Sequence, residues 1–292
     1  MMLPQLPIPP QEWLVSFNDE CRKRQVSAGE RPFRALERWA KENGQTPALF
    51  DLLVGHLAAP AFAAIYAFFK VNTSLSREHS APFRQTCFLY DTAFWPVIVP
   101  VILGSCVLDP IRFVVGMPPT VFRDLGFNSR ARDEFDAHWF DCLNHINHSR
   151  LIDGEELPEL ARDFFGGGEK ALFAAADSLL AVPPNQKAAE SSRDAFESTL
   201  KGFAVVRTGL TVGEAKDIRH NLIKLVRRCA PQLPAPERDR FERAALLYPQ
   251  VDARYKKGAL SLRRLWESYR EAQHAMAISL MIIGGDSTAG AR

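Results

Sequence analysis

Between Lys216 and Cys229 the chain reads KDIRHNLIKLVRRC. Ile218, Leu222, Leu225, Val226 and Cys229 recur there at the spacing that lines one face of a 3.6-residue helix. Arg219, His220, Lys224, Arg227 and Arg228 fall on the other side, left to water or to a partner. Just upstream, Thr211-Val-Gly-Glu214 has the form of a capping box, in which the threonine hydroxyl and the glutamate side chain satisfy exposed amides of a new helix. The pattern predicts one helix that opens at Thr211 and carries the whole stretch.

Reading outward, helical periodicity dominates and strand-like alternation is scarce, so the fold class is mainly α, built of helical bundles. Glu169–Val182 and Gln186–Arg207 are expected to be helical, divided by Pro183-Pro184-Asn185 and closed at Gly209. Pro236–Leu247 and a long Ala259–Ile283 complete the second half. In the first half, Pro10–Val26 and Glu30–Asn43 read as amphipathic helices. Asn128-Ser129 is placed to cap a helix running to about Arg150. The glycines Gly166–Gly168, with LIDGEELPEL before them, look like an interruption. With 292 residues available, two domains are expected, a helical domain over 1–155 with a proline-rich apolar centre and a second over 156–292.

The five cysteines are Cys21, Cys87, Cys106, Cys142 and Cys229. They form no CxxC pair, so neither a disulfide framework nor a zinc knuckle is indicated and a reducing cytoplasm fits. The N-terminal MMLPQLPIPPQEW has no secretory pattern and reads as an extended arm. Two uncharged runs, Leu52–Phe69 and Thr92–Leu108, approach the roughly 20 residues of a membrane span. His56 and Pro60 interrupt the first, and Pro96 and Pro100 the second, so burial in protein is expected and membrane association is the alternative. A P-loop, a dinucleotide glycine fingerprint and a nucleophile elbow are all missing from the sequence, which leaves nucleotide hydrolysis, redox and acyl-transfer chemistry without support. No cofactor is expected.

The segment PNQKAAESSRDAFESTLKGFAVVRTGLTVGEAKDIRHNLIKL has a long helix with a lysine near its end, a capped turn, then a helix that opens on a basic residue and His-Asn-Leu. In this order it resembles a HEPN-type helical domain, over roughly Phe164 to Cys229 and the last helix. RNA-cleaving members of that superfamily carry an arginine, a polar residue and then a histidine four to six residues after the arginine. Arg219 and His220 match the first two positions, but Lys224, Leu225 and Val226 stand where the histidine belongs. Histidine shuttles protons near neutral pH, whereas a lysine at its ordinary pKa of about 10.4 stays charged. The resemblance therefore implies a catalytically silent member, with a homodimer and a setting in prokaryotic defence or toxin–antitoxin-like systems. A HEPN-type, metal-independent ribonuclease using Arg219 and His220 is the alternative.

Arg132 and His138 satisfy the ribonuclease spacing literally, but lie outside the segment that carries the resemblance. His138, Cys142 and His145 recur on one helical face, the best metal candidates, although one helix rarely supplies more than two ligands to an ion. Charge is more telling by region. From Lys216 to Arg264 there are 13 Lys or Arg against five Asp or Glu, while the whole chain is only +2. Arg219, Lys224, Arg227, Arg228, Lys256, Lys257, Arg263 and Arg264 are the candidate contacts to RNA or another polyanion. The competing account is that they solvate exposed helix faces. The leading functional expectation is a non-enzymatic binding or regulatory protein that contacts nucleic acid or a protein partner through this basic face.

Overall fold

A computed structural model describes residues 6–24, 26, 31–44, 60–72, 83–100, 109–248 and 260–289. Helices and strands are numbered below in chain order. The chain divides into two compact units, Met1–Arg84 and Gln85–Arg292.

In the first unit, α1 (Gln11–Lys23), α2 (Arg31–Glu42) and α3 (Pro60–Asn72) surround an apolar core. Leu14, Phe17, Leu36, Ala40, Ile65 and Phe69 are buried there. The indole of Trp39 donates to the Pro7 carbonyl at 2.6 Å, which ties the arm before α1 to α2. The first uncharged run thus enters α3 at Pro60, with Ala61, Ile65 and Phe69 turned inward. Its residues 52–59 lie outside those described.

The second uncharged run adds a strand to a mainly helical chain. Its described part is a strand, β2 (Ala93–Pro100), paired with β1 (Phe83–Tyr90) in a two-stranded sheet. Asp91 and Thr92 join them, both at positive φ, the geometry of a two-residue hairpin turn whose twist matches the strands. Val97, Ile98 and Val99 are consecutive and buried, so no alternation marks the strand. Among the described residues, no helix is long and apolar enough to cross a membrane.

The second unit is a helical bundle. After a 3-10 turn (Pro110–Phe113) come α4 (Pro119–Phe127) and α5 (Ser129–His148). The Asn128 side chain caps α5 by accepting from the Ala131 amide at 3.1 Å. Then follow α6 (Arg150–Asp153), α7 (Glu159–Leu180), α8 (Lys187–Thr208), α9 (Val212–Ile218), α10 (Leu222–Cys229), α11 (Ala235–Leu247) and α12 (Leu262–Ala289). The long α12 packs on α8, α5 and α7. Trp139, Trp266, Phe165, Phe196 and Phe203 are fully buried in the core of this unit.

Two expectations are corrected here. Gly166–Gly168 do not interrupt a helix; α7 runs straight through them. A Cβ on Gly168 would lie 3.0 Å from Met276 Cε and 3.1 Å from Thr199 Oγ1, and one on Gly202 would lie 2.9 Å from the Phe165 ring. These glycines let α7, α8 and α12 approach closely. The unit boundary also lies between Arg84 and Gln85 rather than near residue 155, because α5 belongs to the same packed bundle as α7, α8 and α12.

Candidate functional site

The stretch that opened the sequence reading is not one helix. Its capping box is formed as expected: Thr211 Oγ1 accepts from the Glu214 amide at 3.2 Å and Glu214 takes the Thr211 amide at 2.9 Å. That helix, however, stops at Ile218. Arg219 adopts φ 50°, ψ −120°, and Asn221 caps a second helix by accepting from the Lys224 amide at 2.9 Å. A non-glycine residue held in such a region costs on the order of 1–3 kcal/mol, and the surrounding contacts must hold it there. The apolar stripe survives the break: Ile218, Leu222, Leu225, Val226 and Cys229 are all buried, while Arg219, His220, Lys224, Arg227 and Arg228 are exposed.

The contacts at the corner come from α8. Arg193, Glu197 and Lys201 stand four residues apart on one face of that helix. Arg193 Nη2 donates to the His220 carbonyl at 2.7 Å, and Arg193 Nη1 to Glu197 Oε2 at 3.2 Å. Lys201 Nζ donates to Glu197 Oε1 at 2.7 Å. His220 Nδ1 lies 3.1 Å from both oxygens of Glu197. Since a carboxylate only accepts, Nδ1 carries the proton and Nε2 is left for another partner. Arg193 and Glu197 are buried, so their charges are held by one another and by this network.

An open pocket of about 570 Å³ lies in front of the corner. Phe164, Val212 and Ala215 form its apolar wall; Lys201, Lys216, Arg219 and His220 form the basic one. The Lys201 ammonium also sits 5.8 Å above the Phe164 ring. Among the described residues no acid lines the pocket; Glu197, bonded to Lys201 and His220, is buried. Such an arrangement attracts anions and offers both ammonium and guanidinium donors for phosphate oxygens.

The remaining candidates separate. Lys224 and Arg227 are exposed on α10. Arg228 is taken up by the Thr208 hydroxyl and carbonyl and by Glu214. Arg263 pairs with Glu134 and Glu267, and Arg264 donates to the Leu246 and Leu247 carbonyls at the end of α11. Lys256 and Lys257 lie outside the described residues. Part of the basic run is therefore structural: its charges lock α12 to α5 and α11.

Arg132 and His138 do not meet. Arg132 turns to Asp136 and Asp109, while His138 turns into the core, its Nε2 3.1 Å from Thr86 Oγ1 and its ring 4.7 Å from Trp266. Complete burial, with the Arg270 charge adding to it, pushes His138 down to about 3, so it is neutral and sealed from substrate. The metal candidates separate too. His145 is held between Glu169 at 3.1 Å and Gln273 at 3.1 Å, and Cys142 lies 3.6 Å from His138. Among the described residues no group of three or more His, Cys, Asp or Glu converges on a possible ion.

The sequence reading missed Arg193, Glu197, Lys201, Lys216 and Phe164. Arg193, Glu197 and Lys201 gave one signal, their four-residue spacing on a helix that also carries Lys187, Glu190 and Asp194. Comparisons with protein-family models, curated proteins and solved structures returned no match.

Proposed function

We propose that this chain is a non-enzymatic helical binding protein that holds a polyanion, RNA foremost, in the pocket between α7, α8 and α9. The observation that carries this reading is the grouping of Lys201, Lys216, Arg219 and His220 around one open pocket that no acid lines among the described residues. Phosphates exchange condensed counterions for such cations, which gives affinity without base recognition. Phe164 supplies an aromatic surface beside them, suited to stacking an unpaired base. Lys224 and Arg227, exposed on the following helix, extend the basic surface. The resemblance to HEPN-type domains supports a regulatory role in a prokaryotic defence or toxin–antitoxin-like setting, in the cytoplasm and as a homodimer that also meets a protein partner.

One observation favours a second reading, a ribonuclease. Glu197 fixes the tautomer of His220 and leaves Nε2 unbonded by it, while Arg219 lines the same pocket, a combination able to take a proton from a ribose hydroxyl and to neutralise phosphate. A single experiment separates the two. Purified protein is incubated with single-stranded RNA at low salt, with and without divalent metal, and the RNA is followed for retention and for length. Retention of intact RNA, lost in Arg219→Ala, is the expected result. Cleavage lost in His220→Ala favours the ribonuclease, and RNA neither retained nor cut overturns both readings.

A further inference from the structure

On charge alone, Glu197 opposes anion binding in the pocket. Its carboxylate lies 2.7 Å from the Lys201 ammonium and 3.1 Å from the His220 ring nitrogen, and it cancels part of the positive potential that both would offer a ligand. Its contribution is found in the backbone instead. Arg219 stands at φ 50°, ψ −120°, a conformation that a side chain with a Cβ leaves unless neighbours hold it. Two contacts from α8 hold the residue that follows. Arg193 takes the His220 carbonyl at 2.7 Å, and Glu197 takes the His220 ring N–H on both oxygens. Arg193 and Glu197 are bonded to each other at 3.2 Å, and Arg193 is 2% exposed. One face of α8 thus grips His220 by backbone and by ring.

We infer that Glu197 is the positioning residue of this pocket: with Arg193 it clamps the strained Arg219–His220 corner onto α8, and so presents Arg219 and the His220 Nε2 edge to the ligand. The part that concerns the ligand rests on the proposed anion-binding role, while the clamping of the corner does not.

The test uses the full chain with Glu197→Asp and Glu197→Gln. Aspartate keeps the charge but withdraws the carboxylate by one methylene; glutamine removes a negative charge, which electrostatics alone expects to tighten anion binding. Amide hydrogen exchange is read across residues 216–224, and affinity for a single-stranded oligouridylate is read at low salt. In Glu197→Asp the amides at 218–222 are expected to exchange faster while the rest of the bundle stays protected, and RNA affinity is expected to fall about tenfold. Glu197→Gln, where it folds, is expected to weaken binding as well, against the sign of its charge change. Unchanged exchange at 218–222 in Glu197→Asp overturns the inference, as does a loosened corner with unchanged or tighter RNA binding. If the wild-type chain binds no RNA and Glu197→Asp still loosens the corner, the clamp stands and the anion-binding role falls.

Discussion

The Phe165 ring lies against Gly202 so closely that a Cβ there would come within 2.9 Å of two ring carbons and 3.1 Å of a third. Phe165 is fully buried on α7 and Gly202 is buried on α8, so neither helix has room to step aside. Replacing a helical glycine with alanine ordinarily gains about 1 kcal/mol. Here crowding reverses the sign: Gly202→Ala is expected to destabilise by about 1–3 kcal/mol in denaturant unfolding. Gly167, exposed on the same α7 with nothing within 4 Å of a Cβ, is the control. Gly167→Ala is expected to stabilise by about 0.5–1 kcal/mol. Equal effects at the two sites would contradict the close helix crossing.

Two histidines give opposite pH dependences. His138 is held at about 3 by complete burial, below its unfolded value of about 6.5. The unfolded chain therefore binds the proton first, and the stability from a neutral His138 is full above about pH 6.5 and lost as pH falls. The loss amounts to roughly 4 kcal/mol by pH 3. His274 runs the other way. Burial alone lowers it, but Asp141, with both oxygens 3.0 Å from Nδ1, and Glu237, 2.6 Å from Nε2, raise it overall despite nearby Arg240. Its stabilisation is present below about pH 6.5 and lost as pH rises through the raised folded value.

Thermal unfolding between pH 4.5 and 9 checks both signs. The carboxylates of Glu134 and Glu271 overcome burial through their arginine partners and stand below the ordinary range, so their losses set in at the acid edge of this window and grow below it. His274→Gln is expected to flatten the alkaline side and leave the acid side in place. An unchanged alkaline side would contradict the bridging of α5, α11 and α12 by an imidazolium.

The apolar stripe of α10 accounts for its docking. Leu225 and Val226 are fully buried and Leu222 is 6% exposed. Leu222→Ala and Leu225→Ala are each expected to cost about 2–5 kcal/mol, whereas Arg227→Ala on the exposed face should change stability by less than about 0.5 kcal/mol. Chemical denaturation of the three variants distinguishes a packed stripe from a loosely attached helix.

What was legible in the sequence was local. The Asn128 cap, the Thr211–Glu214 box and the stripe of α10 each rest on residues within a turn or two of one another, so spacing alone reveals them. The hairpin was hidden because Val97, Ile98 and Val99 are all buried, which erases alternation, and because its turn uses Asp91-Thr92 where glycine is the usual sign. Gly166–Gly168 read as a breaker because propensity is blind to a neighbouring helix that needs the space. The break at Arg219 depends on Arg193 and Glu197, more than 20 residues upstream on another helix. Of the basic run, Arg263 and Arg264 turned out to serve α12 and its neighbours, and only the fold could separate them from Lys216 and Arg219.

The central claim, that Lys216 and Arg219 hold phosphates in the pocket of the second unit, is tested most directly by the salt dependence of RNA binding. Affinity for single-stranded RNA is measured across a salt series for the wild-type chain, Lys216→Ala and Arg219→Ala. Log affinity should fall linearly with log salt, and each substitution should weaken binding and shallow the slope by about one contact. Variants that keep the wild-type affinity and slope, or a wild-type chain that binds no RNA at low salt, would contradict the account.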